Sequence, residues 1–245
     1  MKQNERFARL KLVLGEEVVS RLSRSYVTVV GLGGVGGIAA EALVRSGIGH
    51  LRIIDTDTVR ITDINRQIIA LDSTLGRNKV DAAKERFLEI NPFLDISAIK
   101  AFFHVETAQE LLHPKPDYVI DAIDAVLPKI ELLTYCHSHA IPVVSAMGAA
   151  YKTSFNHISV ADISATTVCR LARIVRRRLG RRGIKQGITC VFSTEMNRRV
   201  SELQTNSNSD ISRGRPRPPL GSYSPIIQIF GLLAADCVIK SIAEK

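Results

Sequence analysis

Three glycines stand at a spacing that suits phosphate binding. Gly31, Gly33 and Gly36 form the pattern G-x-G-x-x-G between an apolar run and a stretch of helical composition. In such a turn the first glycine allows the bend, the second lets the backbone approach a phosphate, and the third packs the helix against the strand. The phosphate lies at the N-terminus of the helix, where free N–H groups and the helix dipole favour an anion. The pattern predicts a nucleotide-binding turn.

An acidic residue follows this turn at the separation that nucleotide binding needs. Asp55 ends the next apolar run, about 20 residues after the glycines, where a carboxylate can hold ribose hydroxyls. A dinucleotide dehydrogenase would show the same opening, so these residues alone leave the kind of nucleotide open.

Charged residues further along the chain favour nucleotidyl transfer. A dehydrogenase uses the pyrophosphate of its cofactor only as a handle, whereas nucleotidyl transfer must stabilise the charge that develops as pyrophosphate leaves. Carboxylates at a strand end beside the nucleotide also suit a hydrated Mg²⁺ ion. Taken singly, each residue is compatible with a surface charge or a helix cap. The candidates are Asn65, Arg66, Gln67, Lys79, Asp121 and Asp124.

The elements that must position these residues alternate between strand and helix. Alternation of this kind predicts an α/β fold, a Rossmann-like doubly wound and mainly parallel sheet with helices on both faces. Residues 26–146 would form its nucleotide-binding core within a single domain, 1–245. The predicted strands are 26–30, 50–54, 94–101, 118–123 and 142–146, and the predicted helices are 38–46, 80–90 and 129–139.

The composition changes after this core. Residues 165–185 carry many arginines and no acidic residue, with apolar residues at helical spacing, which predicts an amphipathic basic helix. Residues 196–225 are rich in Ser, Asn, Arg and Pro and predict a mobile loop. Residues 226–243 predict a packed C-terminal helix without membrane insertion, because its apolar run is interrupted at Asp236 and a membrane span needs roughly 20 apolar residues.

The net charge and the cysteine content indicate the kind of partner and the cellular compartment of the protein. The net charge of +9 at pH 7 favours an anionic partner. The N-terminal segment lacks the apolar core of a signal peptide. The cysteines form no C-x-x-C pair, so neither a zinc ribbon nor a disulfide framework is indicated, and we expect reduced, buried thiols in a cytoplasmic protein. They are Cys136, Cys169, Cys190 and Cys237.

Several motifs together carry a family resemblance. RFAR near the N-terminus, GLGGVGG, IIDTDTV, the NRQ triplet, GRNK and DAID resemble the ThiF-type adenylating superfamily, which includes ubiquitin-activating enzymes and the bacterial activators of molybdopterin and thiamin sulfur carriers. Within it, the stretch that begins YVIDAIDAVLPK, the arginine-rich segment and VFSTE resemble the tRNA threonylcarbamoyladenosine dehydratases. The resemblance covers residues 7–195.

The resemblance implies a tRNA substrate that carries threonylcarbamoyladenosine beside the anticodon. ATP would activate the threonyl carboxylate as an acyl-adenylate, and the neighbouring carbamoyl group would attack that carbonyl and expel AMP, with net loss of water. No enzyme cysteine is required, because the second nucleophile belongs to the substrate. Intramolecular attack of this kind has an effective molarity on the order of 10⁵ M in favourable geometries.

The resemblance also assigns roles by matched position. Asp55 would bind ribose, Arg66 and Lys79 would bind the phosphates, and Asp124 would bind Mg²⁺. Arg9 would reach the ATP of a partner subunit, which implies a homodimer; a sulfur-transfer protein partner stays open. The further cofactor-binding residues would be Gly31, Gly33, Gly34, Gly36, Asp57, Asn65, Gln67 and Asp121. The residues expected to contact tRNA are Arg173, Arg176, Arg177, Arg178, Arg181 and Arg182.

Three other functions stay open. An adenylyltransferase for a ubiquitin-like sulfur carrier would use the same ATP site, but the missing C-x-x-C pairs and the arginine cluster disfavour it. An NAD-dependent oxidoreductase would leave Arg66, Lys79 and Asp124 without a task. A nucleotide-sensing protein without turnover is disfavoured by the intact set of charged residues.

Overall fold

The computed structural model describes residues 5–196 and 220–244, and the strands of this part of the chain form one sheet. The strands are β1 Tyr26–Val30, β2 His50–Asp55, β3 Asp95–Lys100, β4 Tyr118–Asp121, β5 Val143–Ala146, β6 Ile158–Asp162 and β7 Thr189–Ser193. Their order across the sheet is β3-β2-β1-β4-β5-β7-β6. Every neighbouring pair is parallel except β6 with β7 at one edge.

Helices cover both faces of this sheet. The helices are α1 Ala8–Leu14, α2 Glu16–Arg24, α3 Gly34–Arg45, α4 Lys79–Ile90, α5 Ala108–Leu111, α6 Val126–Ser138, α7 Arg170–Gly180 and α8 Ser224–Ala243. One hydrophobic core joins the sheet to α2, α3, α4 and α8, and a second joins it to α5, α6 and α7. The predicted doubly wound α/β fold with a mainly parallel sheet is therefore confirmed.

Strand β1, in the interior of the sheet, shows why the sequence forms this sheet. Val29 of β1 lies in register between Ile53 of β2 and Ile120 of β4, and all three side chains are fully buried. A strand covered on both faces is apolar throughout, which matches the β-branched run in β1. Burying one such side chain stabilises the fold by roughly 1.5–3 kcal/mol.

Helix α8 packs closely on α3. A Cβ atom at Gly231 would lie 2.2 Å from Cγ2 of Ile38 and 2.4 Å from the carbonyl oxygen of Val35, so glycine is needed at this crossing. Phe230 and Ala234 are fully buried. Among the described residues, α8 alone is long and apolar enough to span a membrane, and here its apolar face belongs to the core.

Several boundaries differ from the sequence-based prediction. Helix α3 begins at Gly34, within the glycine pattern, although glycine has a low helix propensity. Strand β4 ends at Asp121 instead of residue 123, because the carboxylate of Asp121 accepts a hydrogen bond from the N–H of Ile123 and turns the chain. Within the predicted basic segment, 165–185, the helix is confined to Arg170–Gly180.

Some elements were not predicted at all. These are the N-terminal helices α1 and α2, the short helix α5 and the strands β6 and β7. Most of the predicted loop, 196–225, lies outside the described residues, and its last two residues already belong to α8.

Candidate nucleotide site at the carboxyl edge of the sheet

The glycine turn connects β1 to α3 at the carboxyl edge of the sheet. Gly31 has φ +92°, and a Cβ atom there would lie 2.8 Å from the carbonyl oxygen of Ala122; a Cβ atom at Gly36 would lie 1.7 Å from the carbonyl oxygen of Gly31. Both glycines are therefore needed for packing. At Gly33 a Cβ atom would meet nothing within 4 Å among the described residues, so this position is open to a ligand.

The N-terminus of α3 faces this opening. Within the described part of the chain no side chain caps the helix at Gly33. The first N–H groups of a helix have no intrahelical partner, and together with the helix dipole they favour an anion. Gly34 lies inside this first turn, where a Cβ atom would come 2.4 Å from Cγ2 of Ile227 in α8.

Asp55 links the ends of β1 and β2. Its Oδ2 accepts a hydrogen bond from the N–H of Leu32 at 2.6 Å, and its Oδ1 accepts one from the N–H of Asp57 at 2.8 Å. Burial raises the pKa of Asp55, and the positive charge of Lys79 and the two N–H donors oppose that rise. Each carboxylate oxygen keeps a further lone pair that can accept a hydrogen bond from a hydroxyl group.

Lys79 lies buried at the start of α4 among acidic side chains. Its Nζ atom is 3.3 Å from Oδ2 of Asp57 and 3.8 Å from Oδ2 of Asp63. Lys79 is 5% exposed, so its charge acts in a medium less polar than water and its interactions are stronger there. The prediction placed Lys79 and Asp57 in one site, and the structure brings them into contact.

Asp63 is a site residue that the sequence-based prediction missed. Its Oδ1 accepts hydrogen bonds from Nε2 of Gln67 at 2.7 Å and from Nη2 of Arg66 at 3.3 Å, and its Oδ2 accepts one from the N–H of Arg60 at 3.1 Å. The carboxylate is buried. The feature of the sequence that could have identified Asp63 is its position two residues before the NRQ triplet.

The NRQ triplet is held between a short 3₁₀ turn and α8. Nη1 of Arg66 donates to the carbonyl oxygen of Thr62 at 2.8 Å and to Oδ1 of Asn65 at 3.0 Å. The carbonyl oxygen of Arg66 accepts from Nε2 of Gln228 at 3.1 Å, and Nδ2 of Asn65 donates to the carbonyl oxygen of Ser222 at 3.2 Å. The triplet is therefore fixed in part by α8 and by the residues that directly precede α8.

The structure corrects the role predicted for Asp121. This side chain is fully buried, and its Oδ2 lies 2.6 Å from Nζ of Lys129 and accepts a hydrogen bond from Oγ of Ser145 at 2.6 Å. Its Oδ1 accepts from the N–H of Ile123. The prediction that Asp121 contacts the cofactor is wrong, because both of its oxygens face partners inside the protein.

Asp124 differs from Asp121 in every one of these respects. It is exposed, and within the described part of the chain it has no hydrogen bond or ion pair. No group of three His, Cys, Asp or Glu side chains that could hold a metal occurs among residues 5–196 and 220–244. Mg²⁺ is commonly bound by one or two carboxylates together with substrate phosphates and waters. A single free carboxylate at this edge fits that mode of binding.

Arg9 is exposed on α1 and takes part in none of the contacts described above. The structure does not join it to the other predicted catalytic residues. Its predicted role concerns the ATP of a second subunit and stays a prediction.

Helix α7 presents a basic surface to solvent. Its apolar side chains Ala172, Val175 and Leu179 are buried against the core. The arginines predicted to contact tRNA that are exposed on this helix and just after it form what we call the arginine surface. Its members are Arg173, Arg177, Arg178, Arg181 and Arg182.

Arg176 differs from these arginines because it is half-buried and makes several contacts within the protein. Its Nη1 donates to the carbonyl oxygen of Thr166 at 2.5 Å and to Oγ1 of Thr166 at 2.7 Å. Arg176 therefore anchors the segment before α7 through Nη1, and its predicted contact with tRNA stays a prediction. Arg182 donates to Oγ1 of Thr134 at 2.9 Å but stays exposed.

Burial is confirmed for three of the four cysteines that were predicted to be buried, and the fourth, Cys237, is half-buried. Cys136, Cys169 and Cys190 are buried. Burial raises the pKa of Cys136 and of Cys190, which keeps both thiols protonated at neutral pH. Neither has the features of a nucleophilic cysteine.

The doubly wound, mainly parallel sheet carries an open glycine turn, a carboxylate at the end of the neighbouring strand and adjacent cations. Together these features define a nucleotide-binding α/β protein. The ThiF family profile matches residues 5–245, and the chain belongs to the ThiF family.

Known relatives include dehydratases and adenylyltransferases. The chain is 39% identical over 242 residues to a tRNA threonylcarbamoyladenosine dehydratase of Bacillus subtilis, covering 97% of this chain and 94% of that protein. It is 35% identical over 132 residues to a molybdopterin-synthase adenylyltransferase of Haemophilus influenzae, covering 54% of this chain and 53% of that protein.

Solved structures of one such enzyme share the fold. The Escherichia coli tRNA N6-threonylcarbamoyladenosine dehydratase in complex with ATP superimposes with a TM-score of 0.87 at 32% identity, covering 98% of this chain and 95% of that chain. The same enzyme in complex with AMP gives a TM-score of 0.86 at the same identity and coverage.

Proposed function

We propose that this protein is an ATP-dependent tRNA threonylcarbamoyladenosine dehydratase. The observation that carries the proposal is the fraction of the chain that is similar to a known dehydratase. Similarity to the dehydratase of Bacillus subtilis spans 97% of the chain, whereas similarity to the molybdopterin-synthase adenylyltransferase spans 54%. The complexes of the Escherichia coli dehydratase with ATP and with AMP support a reaction that consumes ATP and releases AMP.

The residues at the carboxyl edge divide the work of binding ATP. The N–H groups at the start of α3 receive a phosphate, Asp55 accepts the ribose hydroxyls, and Arg66 and Lys79 neutralise the triphosphate. Arg66 and Lys79 are held by Asp63 and Asp57. These carboxylates keep both cations at the site before the phosphates arrive, which lowers the reorganisation needed on binding.

The proposed reaction has two steps. In the first, an oxygen of the threonyl carboxylate attacks the α-phosphorus of ATP, and the bond between that phosphorus and the pyrophosphate breaks. In the second, the carbamoyl group attacks the activated carbonyl carbon, loses a proton, and AMP leaves with the former carboxylate oxygen. The sum is ring closure with net loss of water, and the energy comes from cleavage of ATP.

Asp124 would hold Mg²⁺ beside the phosphates. The ion, when bound, neutralises charge on the departing pyrophosphate. The support for this assignment is the exposed, unpaired carboxylate of Asp124 at the strand edge and the preference of Mg²⁺ for carboxylate and phosphate oxygens.

The arginine surface would bind the tRNA backbone. Its arginines are exposed, and contacts of Lys and Arg with phosphate dominate the affinity of proteins for nucleic acids. A tRNA substrate also agrees with a cytoplasmic setting.

A homodimer would complete the catalytic set. Arg9 is exposed on α1, and Leu12 and Val13 on the same helix are 88% and 79% exposed. This apolar face suits burial against a second copy of the chain. A sulfur-transfer protein as an additional partner remains part of the proposal to be tested.

One experiment distinguishes the dehydratase from the alternative adenylyltransferase. The protein is incubated with α-labelled ATP and Mg²⁺, with tRNA that carries or lacks threonylcarbamoyladenosine. We expect AMP and a nucleoside lighter by one water only with the modified tRNA. AMP release that depends instead on a sulfur-carrier peptide ending in diglycine would contradict the proposal and favour the adenylyltransferase.

A further inference from the structure

A fully buried ion pair lies beneath the carboxyl edge of the sheet. Nζ of Lys129 donates to Oδ2 of Asp121 at 2.6 Å, to the carbonyl oxygen of Ala146 at 3.0 Å and to Oγ of Ser145 at 3.2 Å. Lys129 and Asp121 are both 0% exposed. The three protons of the ammonium group therefore all have acceptors. Neither side chain can touch a ligand.

Net stabilisation alone is a weak explanation for this pair. The cost of removing two charges from water often equals or exceeds their mutual attraction, and well-packed apolar residues can replace such a pair without loss of stability. Lys129 has no part in the proposed reaction. The pair also holds neighbouring groups in place.

The pair fixes the course of the chain after β4. Oδ1 of Asp121 accepts from the N–H of Ile123 at 3.1 Å, and the N–H of Ala122 donates to the carbonyl oxygen of Val30 at 2.9 Å. The carbonyl oxygen of Ala122 lies where it would be 2.8 Å from a Cβ atom at Gly31. The segment after β4 is therefore packed directly on the glycine turn.

The same pair also holds the other end of this segment. Lys129 belongs to α6, which begins at Val126, two residues after Asp124. Residues 122–125 thus form a short connection whose first end is fixed through Asp121 and whose second end is fixed through Lys129. Asp124 is the exposed acidic residue of this connection.

We propose that Lys129 is a positioning residue, which acts through Asp121 to hold the backbone of residues 122–125 so that Asp124 faces the phosphates bound at the glycine turn. This inference rests on the proposed role of Asp124 in binding Mg²⁺ with ATP. Residues that orient a metal ligand from behind typically change metal affinity by about 10–100-fold when they are replaced.

The test is a calorimetric titration of ATP at a series of Mg²⁺ concentrations, without tRNA. For Lys129→Met we expect the half-saturating Mg²⁺ concentration to rise at least about tenfold. Because Lys129→Met leaves the charge of Asp121 buried and unpaired, the double variant Asp121→Asn with Lys129→Met is measured as well. It contains no unpaired buried charge, and it also lacks the ionic tie between β4 and α6, so the same increase is expected.

Arg52→Met is the matched control. Arg52 is a buried cation in β2, and its guanidinium donates to the carbonyl oxygens of Leu111 at 3.0 Å and His113 at 2.7 Å. Its loss removes a buried charge from the same sheet without touching residues 122–125. We expect a lower Tm and an unchanged Mg²⁺ requirement.

The outcomes separate this inference from the proposed function. Folded Lys129→Met or double-variant protein with a half-saturating Mg²⁺ concentration within twofold of wild type would overturn the positioning role. If the wild-type protein binds ATP with Mg²⁺ but does not dehydrate modified tRNA, the proposed function fails while the titration still decides the role of Lys129. A wild-type protein whose ATP binding is independent of Mg²⁺ overturns the inference.

Discussion

The N–H of Leu32, in the middle of the glycine turn, donates to Oδ2 of Asp55 at the end of β2 across 2.6 Å. This bond joins the glycine turn, which we propose binds phosphate, to the carboxylate that we propose binds ribose. Because β1 and β2 are parallel neighbours, their carboxyl ends meet at one edge, and a single hydrogen bond fixes the distance between the two subsites.

Replacement of Asp55 is expected to weaken ATP binding. Asp55→Ala removes the ribose acceptor and the partner of Leu32, and hydrogen bonds to a charged group are worth about 1.5–3 kcal/mol each, so the Kd for ATP rises by about 10–100-fold. Calorimetry measures the effect. Asp95→Ala, at an exposed carboxylate that starts β3, is the control. An unchanged Kd in Asp55→Ala would remove Asp55 from the site.

Replacement of Asp124 is expected to reduce turnover without loss of stability. The side chain is exposed and has no partner within the described residues, so Asp124→Asn leaves the fold and Tm intact. Loss of charge stabilisation on the departing pyrophosphate lowers kcat by about 100-fold or more. AMP release under single-turnover conditions gives the measurement, with Asp72→Asn as an exposed control. Wild-type turnover in Asp124→Asn would refute the Mg²⁺ assignment.

Charge reversal on the arginine surface is expected to weaken tRNA binding selectively. Arg177→Glu with Arg178→Glu lowers tRNA affinity by about tenfold or more and reduces the slope of log K against log salt by about 1.5, since two phosphate contacts are lost. Affinity for ATP stays unchanged. Arg24→Glu with Lys84→Glu, at exposed positions on α2 and α4, changes the net charge by the same amount and is the control. Equal losses in both proteins would show that the arginine surface has no specific role.

Glu195 is expected to make stability depend on pH. The N–H of Ser154 donates to its Oε2 at 2.9 Å and the N–H of Thr153 at 3.0 Å, and these bonds hold the pKa of Glu195 below its ordinary value. The folded protein then binds fewer protons than the unfolded chain between the two pKa values, so stability rises with pH across that interval.

The measurement compares Tm of wild type and Glu195→Gln between about pH 3 and pH 7. The advantage of wild type is complete above the ordinary pKa of a glutamate, about 4.3, and is lost as the pH falls through the lower pKa of the folded state. Glu244→Gln, at an exposed position, is the control. A wild-type advantage that is constant over the whole range would contradict the assigned contacts.

The sequence predicted best those features that depend on neighbouring residues. The glycine spacing and the position of Asp55 follow from one βαβ unit, and the structure places both at the same edge. The strands β1 and β2 could be predicted because buried parallel strands are apolar throughout. The edge strand β6 and its neighbour β7 are short and pair across about 30 residues, so no local pattern marks them.

The two aspartates after β4 show where such reasoning stops. Asp121 and Asp124 both follow an apolar run, and either could face a nucleotide. Their difference comes from Lys129 and Ser145, which reach Asp121 from α6 and β5. Asp63 was missed for a similar reason, because its neighbour Lys79 starts a separate helix. Tertiary contacts of this kind leave no periodic signal.

The position of helix α8, later in the sequence than the other site residues, determines the order in which the site can form. Ile227 covers Gly34, and Gln228 holds the carbonyl oxygen of Arg66. A ribosome that has made the glycine turn, Asp55 and the NRQ triplet must still add more than 150 residues before these two side chains exist. The growing chain therefore carries an incomplete nucleotide pocket until α8 has emerged and docked, and productive ATP capture is delayed until then.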